Sequence, residues 1–160
     1  MTSDGSPSRH ASAWDSPGFL MWHATLRWQR TMRACLEPLG LTHVQFVLLA
    51  SAYWTGVTSG PPTQRELAAH SGLDVMMTSQ VTRALERAGR VARQRDARDA
   101  RARRVVVTAA GAALAVRALA AVEAADDAFF AATADGPFVD RLRVLAGAPT
   151  GAAEGPPPPA

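Results

Sequence analysis

Apolar residues recur at intervals of three and four along most of the chain, the spacing of an amphipathic helix. From Phe19 to Pro38, Leu20, His23, Ala24, Arg27, Trp28, Thr31, Met32 and Cys35 follow this rhythm, and Pro38 with Gly40 ends it. Thr42 and Gln45 form a capping box. It opens a helix through Phe46, Val47, Leu49, Ala50 and Tyr53 that closes after Trp54, near Gly56, with Val57 to Pro62 as a connector. After Thr108 a stripe of Leu114, Ala118, Val122, Ala125 and Phe129 predicts a helix of about 24 residues, roughly 36 Å long. No single small domain needs a helix of that length, so part of it is expected to pack on a second subunit. A short helix from Pro137 to Leu145 follows. Phe19 and Leu20 are expected to join Phe129, Phe130, Phe138, Leu142 and Leu145 in that subunit interface.

The stretch from Thr63 to Thr108 departs from plain helix. Thr63 and Glu66 form another capping box, and Pro61 and Pro62 forbid an earlier start. Gly72 suits the left-handed backbone of a sharp turn. Asp74 then caps a second helix running to Ala88, stopped by Gly89. Its expected apolar stripe is Met77, Val81, Leu85 and Ala88; the expected outer face carries Thr78, Ser79, Gln80, Thr82, Arg83, Glu86 and Arg87. Hydroxyls, an amide and guanidiniums are groups that bond base edges and phosphates in a major groove. Val91 begins a short β segment, and Val105 to Val107 form another. Between them, Arg93 to Arg104 hold six arginines and no apolar residue larger than alanine. A charge run by itself usually means a solvated loop. Directly after a helix-turn-helix pattern it reads as a hairpin wing that places an arginine in the minor groove. Asp99 and Arg101 share a face of an extended hairpin, where the carboxylate can aim the guanidinium. The expected DNA contacts are Thr63, Gln64, Thr78, Ser79, Gln80, Thr82, Arg83, Arg87, Arg98, Asp99, Arg101 and Arg103. The fold class is mainly α with a small β-hairpin wing: a winged helix-turn-helix flanked by N- and C-terminal dimerisation helices.

Composition narrows the choice without deciding it. A chain of 160 residues fits one domain with a good core. Its net charge is only +3, and all 17 basic residues are arginine. A GC-rich genome accounts for the missing lysine, so the clustering in the wing informs more than the total. Residues 1–17 lack the apolar run of a signal peptide and are expected to form a disordered arm. The tail 147–160, rich in Pro, Gly and Ala, is expected to be disordered as well. No apolar run spans a bilayer, and the single cysteine fits a reducing compartment, so a cytoplasmic location is expected. Four scattered histidines form no metal set; His23 and His43 approach each other only if the first two main helices cross. There is no phosphate loop, no H-E-x-x-H or C-x-x-C spacing and no convergent acid, base and nucleophile, so an enzyme and a cofactor are not expected.

The segment TQRELAAHSGLDVMMTSQVTRALERAGRVAR, followed by DARARRVVVTAAG, resembles the winged-helix core of the MarR (multiple-antibiotic-resistance regulator) family of bacterial transcription factors. LTHVQFVLLA (41–50) resembles the helix before that core, and VEAADDAFFA (122–131) the end of the family's dimerisation helix. The likeness covers Phe19 to Leu145. Its most specific marks are the D-x-R of the wing and the spacing to Thr108 and Gly111; Arg90 departs, standing where the family usually has an apolar residue. The resemblance implies a two-fold dimer on a pseudo-palindromic operator, with residues 41–108 reading DNA and 18–40 and 109–146 dimerising. It implies repression of a nearby gene, relieved by a small amphipathic or aromatic ligand bound between the dimerisation helices and the winged helix. Trp22, His23, Trp28, Met32, His43 and Met76 are the expected pocket residues, with core packing as the competing role for Trp22, Trp28 and Met32. Two alternatives stay open. One is a winged-helix protein-interaction module without DNA, against which the wing arginines argue. The other is a redox regulator acting through Cys35, whose place near the end of its helix does not match the family's peroxide-sensing position.

Overall fold

The computed structural model describes residues 9–96, 102–133 and 135–148. Six helices and a two-stranded hairpin follow in the order α1 (Pro17–Leu36), α2 (His43–Ser59), α3 (Gln64–Ser71), α4 (Val75–Arg87), β1 (Val91–Arg95), β2 (Arg103–Val107), α5 (Ala109–Phe130) and α6 (Gly136–Ala146). Most helix starts are set by side chains. Thr42 and Thr63 each accept the amide of the residue three ahead, while Gln45 and Glu66 reach back to the cap amide. Asp74 and Thr108 cap α4 and α5 in the simpler one-way fashion. Each such cap contributes on the order of 1 kcal/mol. Gly72, at φ 71°, makes the left-handed turn between α3 and α4 that a side chain would strain.

Several boundaries differ from the expected ones. α2 runs through Gly56 to Ser59, because one glycine costs a helix only about 1 kcal/mol and Thr55 and Thr58 bond back to the carbonyls of Ser51 and Trp54. Within the expected disordered arm, Ala13–Asp15 form a 3-10 turn closed by a capping box between Ser12 and Asp15, leading directly into Pro17. Residues 1–8 and the tail from 149 lie outside the described residues.

α2 is the centre, touching α1, α3, α4, α5 and β2. Leu48, Leu49 and Ala52 on α2 are buried against Met32 and Leu36 of α1, Leu67, Leu85, Val91, Val105, and Leu114, Ala115 and Ala118 of α5. At roughly 1.5–3 kcal/mol per fully buried large side chain, this cluster is the main stabilising term. Among the described residues, none on α6 is buried.

The hairpin is antiparallel, Val91 opposite Val107 and Arg95 opposite Arg103. Its strands extend into the arginine run beyond the valines, since the stems of Arg93, Arg95, Arg103 and Arg104 fit the pleat as well as any unbranched chain. The hairpin is pinned twice at its base. The amide of Val105 donates to the carbonyl of Pro62 at 2.8 Å, beside a bridge between Thr63 and Arg104. At the other end the carbonyl of Arg90 accepts both the amide and the hydroxyl of Thr108, each at 3.1 Å. Arg90 thus serves the wing base through its backbone, and its side chain is only half-buried.

Candidate nucleic-acid interface

Two elements frame the site: α4, the second helix of the helix-turn-helix, and the hairpin packed against it. Residues Thr78, Thr82 and Leu85 of α4 are buried, with Val81 beside them against the core. At 100° per residue the opposite side carries Met76, Gln80, Arg83 and Arg87, spaced four, three and four apart, and all four are exposed.

This corrects the expected facing of the helix. Thr78 and Thr82 have no exposed surface, so neither is available to a base. Their hydroxyls donate to the carbonyls four residues back, Thr78 to Asp74 at 2.8 Å and Thr82 to Thr78 at 2.7 Å. A hydroxyl satisfied in this way lets the rest of threonine pack as a small β-branched apolar group. Met77, expected inside, is 41% exposed. Ser79 is half-buried. Of the remaining expected contacts, Arg103 is exposed on β2, whereas Arg98, Asp99 and Arg101 lie outside the described residues. The Thr63 hydroxyl is engaged with Glu66, accepting its amide at 3.2 Å and donating to its carboxylate at 2.9 Å. The side-chain nitrogen of Gln64 is buried with no hydrogen-bond partner among the described residues.

Two ion pairs that sequence reasoning did not assign fix the hairpin. Arg93 of β1 donates to Glu86 of α4, Nε at 2.8 Å and a terminal nitrogen at 2.6 Å, so the wing is tied to the end of the reading helix. This pair and the Thr63 contacts hold the Glu86 and Glu66 carboxyls, respectively, below the usual carboxylate range. Arg104 bonds the nearly buried carboxylate of Asp96 and, at 2.6 Å, the carbonyl of Pro61, joining the hairpin to the entry of α3. Exposed guanidiniums of Arg95 and Arg103 face each other across the hairpin, and exposed Arg83 and Arg87 stand on α4. Arg93 and Arg95 lie two apart on one face of β1, so strand periodicity does not tell them apart; the partner at Glu86 does, and it is Arg93 that is tied down.

The expected pocket residues do not assemble into one cavity. Trp28 and His43 meet edge to face at 4.9 Å, and the Trp28 indole donates to Asp126 of α5 at 2.7 Å. Burial pushes the His43 imidazole down, against a smaller upward pull from Asp126. Met32 is fully buried in the core, the competing role foreseen for it. Trp22 is 62% exposed, and Met76 is 73% exposed on α4, so neither lines an enclosed site. His23 packs instead on Trp14 and Phe19, apart from the cluster around His43. His43 lines a cleft of about 570 Å³ with Gln29, Arg33, Glu37 and Thr42. A second groove of about 700 Å³, nearly all apolar, is lined by Leu20, Met21, Trp28, Phe129, Phe130, Phe138, Leu142 and Leu145. It gathers every expected interface residue except Phe19, which turns to Trp14 at 5.1 Å. The Cys35 thiol bonds the Met32 carbonyl, and burial pushes its pKa up, the opposite of an activated thiolate.

Among the described residues no single helix is long and apolar enough to cross a membrane. A helix-turn-helix backed by an antiparallel hairpin that carries exposed arginines defines a winged-helix regulator. The model of the MarR family matches residues 41–102. The uncharacterised HTH-type transcriptional regulator YdcH of Bacillus subtilis (strain 168) is 43% identical over 117 residues, 73% of this chain and 80% of that protein. The chain belongs to the MarR family of transcription regulators. Among solved structures, CouR from Rhodococcus jostii RHA1 bound to p-coumaroyl-CoA matches with a TM-score of 0.75 at 26% identity, covering 86% of this chain and 93% of that one. The Mycobacterium tuberculosis MarR family protein Rv2887 in complex with DNA matches with a TM-score of 0.60 at 32% identity, covering 82% and 96%.

Proposed function

We propose that the chain acts as a two-fold dimer that binds a pseudo-palindromic DNA operator and represses a nearby gene until a small aromatic or amphipathic ligand releases it. The observation that carries this reading is the shared presentation of cations by two elements tied together: Arg83 and Arg87 on α4, Arg95 and Arg103 on the hairpin. In this reading Gln80 and Arg83 meet base edges, and Arg87 and the hairpin arginines meet phosphate and minor groove. Related proteins support it, Rv2887 having been solved with DNA and CouR with p-coumaroyl-CoA.

Residues 41–108 are assigned to reading DNA, 18–40 and 109–146 to dimerisation. The apolar groove between α1, α5 and α6 supports the second assignment: α6 leaves Leu142, Val144 and Leu145 exposed, surface that a second copy covers. A two-fold pair sets two α4 helices into successive major grooves about 34 Å apart. Any ligand acts by favouring a spacing of the two helices that does not fit the duplex. The family is one of regulators, and the chain is read as a non-enzymatic cytoplasmic protein.

The experiment is a salt titration of duplex binding by fluorescence anisotropy, with light scattering to give the mass. A dimer whose affinity falls steeply with salt through counterion release agrees with the reading. A monomer at micromolar concentration, or indifference to DNA in dilute buffer, overturns it.

A further inference from the structure

The first turn of α4 is apolar and uncovered. Val75 is 62% exposed, Met76 73% and Met77 41%. Single exposed apolar side chains are ordinary, but three in succession at the tip of one helix are not. Met76 also stands in register with Gln80, Arg83 and Arg87, as the first member of the outward strip. The N-terminal residues of a reading helix are the ones that reach base edges. Asp74 limits what else this end can bind. Its carboxylate already accepts the Met77 amide at 2.7 Å, and its charge opposes a phosphate seated on the helix terminus. The chemistry left at the tip is therefore that of a flexible, polarisable apolar group. In a major groove flanked by phosphates, the one apolar feature on a base edge is the C5-methyl of thymine, shared in chemistry by 5-methylcytosine.

We propose that Met76 is a specificity-determining residue that packs on a pyrimidine C5-methyl in each half of the operator, with Val75 and Met77 closing the contact to water. The proposal rests on the DNA-binding reading above. It assigns sequence preference at one position per half-site to apolar contact, next to the hydrogen bonds of Gln80 and Arg83.

The test uses the full chain and the tightest duplex it selects from a randomised pool. Each thymine is replaced in turn by deoxyuridine, which removes only the methyl group, and affinities are measured for the native chain, Met76→Ala and Met76→Leu. The native chain is expected to lose about fourfold at one symmetry-related pair of positions, the scale of one buried methyl. Met76→Ala should bring the thymine-to-uridine ratio there close to one, and Met76→Leu should keep it. Cytosine at that position should bind better when 5-methylated. Equal affinity for thymine and uridine at every position overturns this inference alone. So does a ratio that Met76→Ala leaves unchanged, which gives the methyl contact to another residue. Selection of no duplex overturns the DNA-binding reading and this inference with it.

Discussion

The carbonyl oxygen of Arg90 lies 1.9 Å from where a β-carbon on Gly111 would sit. That glycine is in the first turn of α5, and the carbonyl belongs to the turn that follows α4 and also accepts Thr108. Reading helix and long helix are therefore joined backbone to backbone. Gly111→Ala should destabilise the fold by about 2 kcal/mol, overpacking outweighing the gain in helix propensity. Urea unfolding measures this, and an unchanged midpoint would show that the two turns separate freely.

Arg104 straps the hairpin to Pro61 and to the nearly buried Asp96. Arg104→Ala removes both contacts and should cost about 1–3 kcal/mol, the guanidinium being partly screened by solvent. Duplex affinity should fall beyond the loss of one charge, because the hairpin is no longer held at the entry of α3. The salt slope separates the two effects: removing one phosphate contact changes it by about one.

Thr78→Val tests the facing of α4. Thr78 is buried and its hydroxyl bonds Asp74, so the variant should lose about 1 kcal/mol of stability and keep its duplex affinity. Arg83→Ala should do the reverse. A Thr78→Val protein that folds normally but binds ten times more weakly would return Thr78 to the interface.

Glu66 and Glu86 predict an acid limb of stability. Hydrogen bonds from Thr63 to the first and from Arg93 to the second hold both carboxyls below their ordinary value of 4.5. A group whose folded pKa is depressed contributes stability above its unfolded pKa and loses it as pH falls through the folded one. Stability should thus decline below about pH 4.5. Glu66→Gln, which keeps an acceptor for the Thr63 amide, should flatten part of that decline. Chemical denaturation from pH 7 to 3 supplies the comparison.

Trp28→Phe keeps an aromatic ring against His43 and removes the indole donor to Asp126. It should loosen α1 from α5 by about 1–2 kcal/mol, since the acceptor is charged and the bond only partly buried. Asp126→Asn, which preserves an acceptor, should cost less; a cost as large would place Asp126 in some other contact.

What could be read from sequence divides along a physical line. The caps at Thr42, Thr63, Asp74 and Thr108 were legible because each is a local exchange between side chain and backbone, complete within four residues. The face of α4 was not, because polarity stood in for position. Thr78 and Thr82 hide their hydroxyls on carbonyls of their own helix, while Met76 and Met77 are apolar and point outward. Met76, named as a pocket residue on the family resemblance, stands in the outward strip of α4 with Gln80, Arg83 and Arg87. The partners of Arg93 and Arg104 were invisible for another reason. In a run of six arginines, which guanidinium meets which carboxylate depends on the register of the hairpin.

The close approach of Gly111 to the Arg90 carbonyl also has a mechanical side. Anchored there, the 22 residues of α5 make an arm of about 33 Å. Tilting that arm by roughly 6° sweeps its tip by about 3.4 Å, the rise of one base pair. In the dimer proposed above, a rocking of that size between one protomer and its mate would throw the two halves out of step with the double helix.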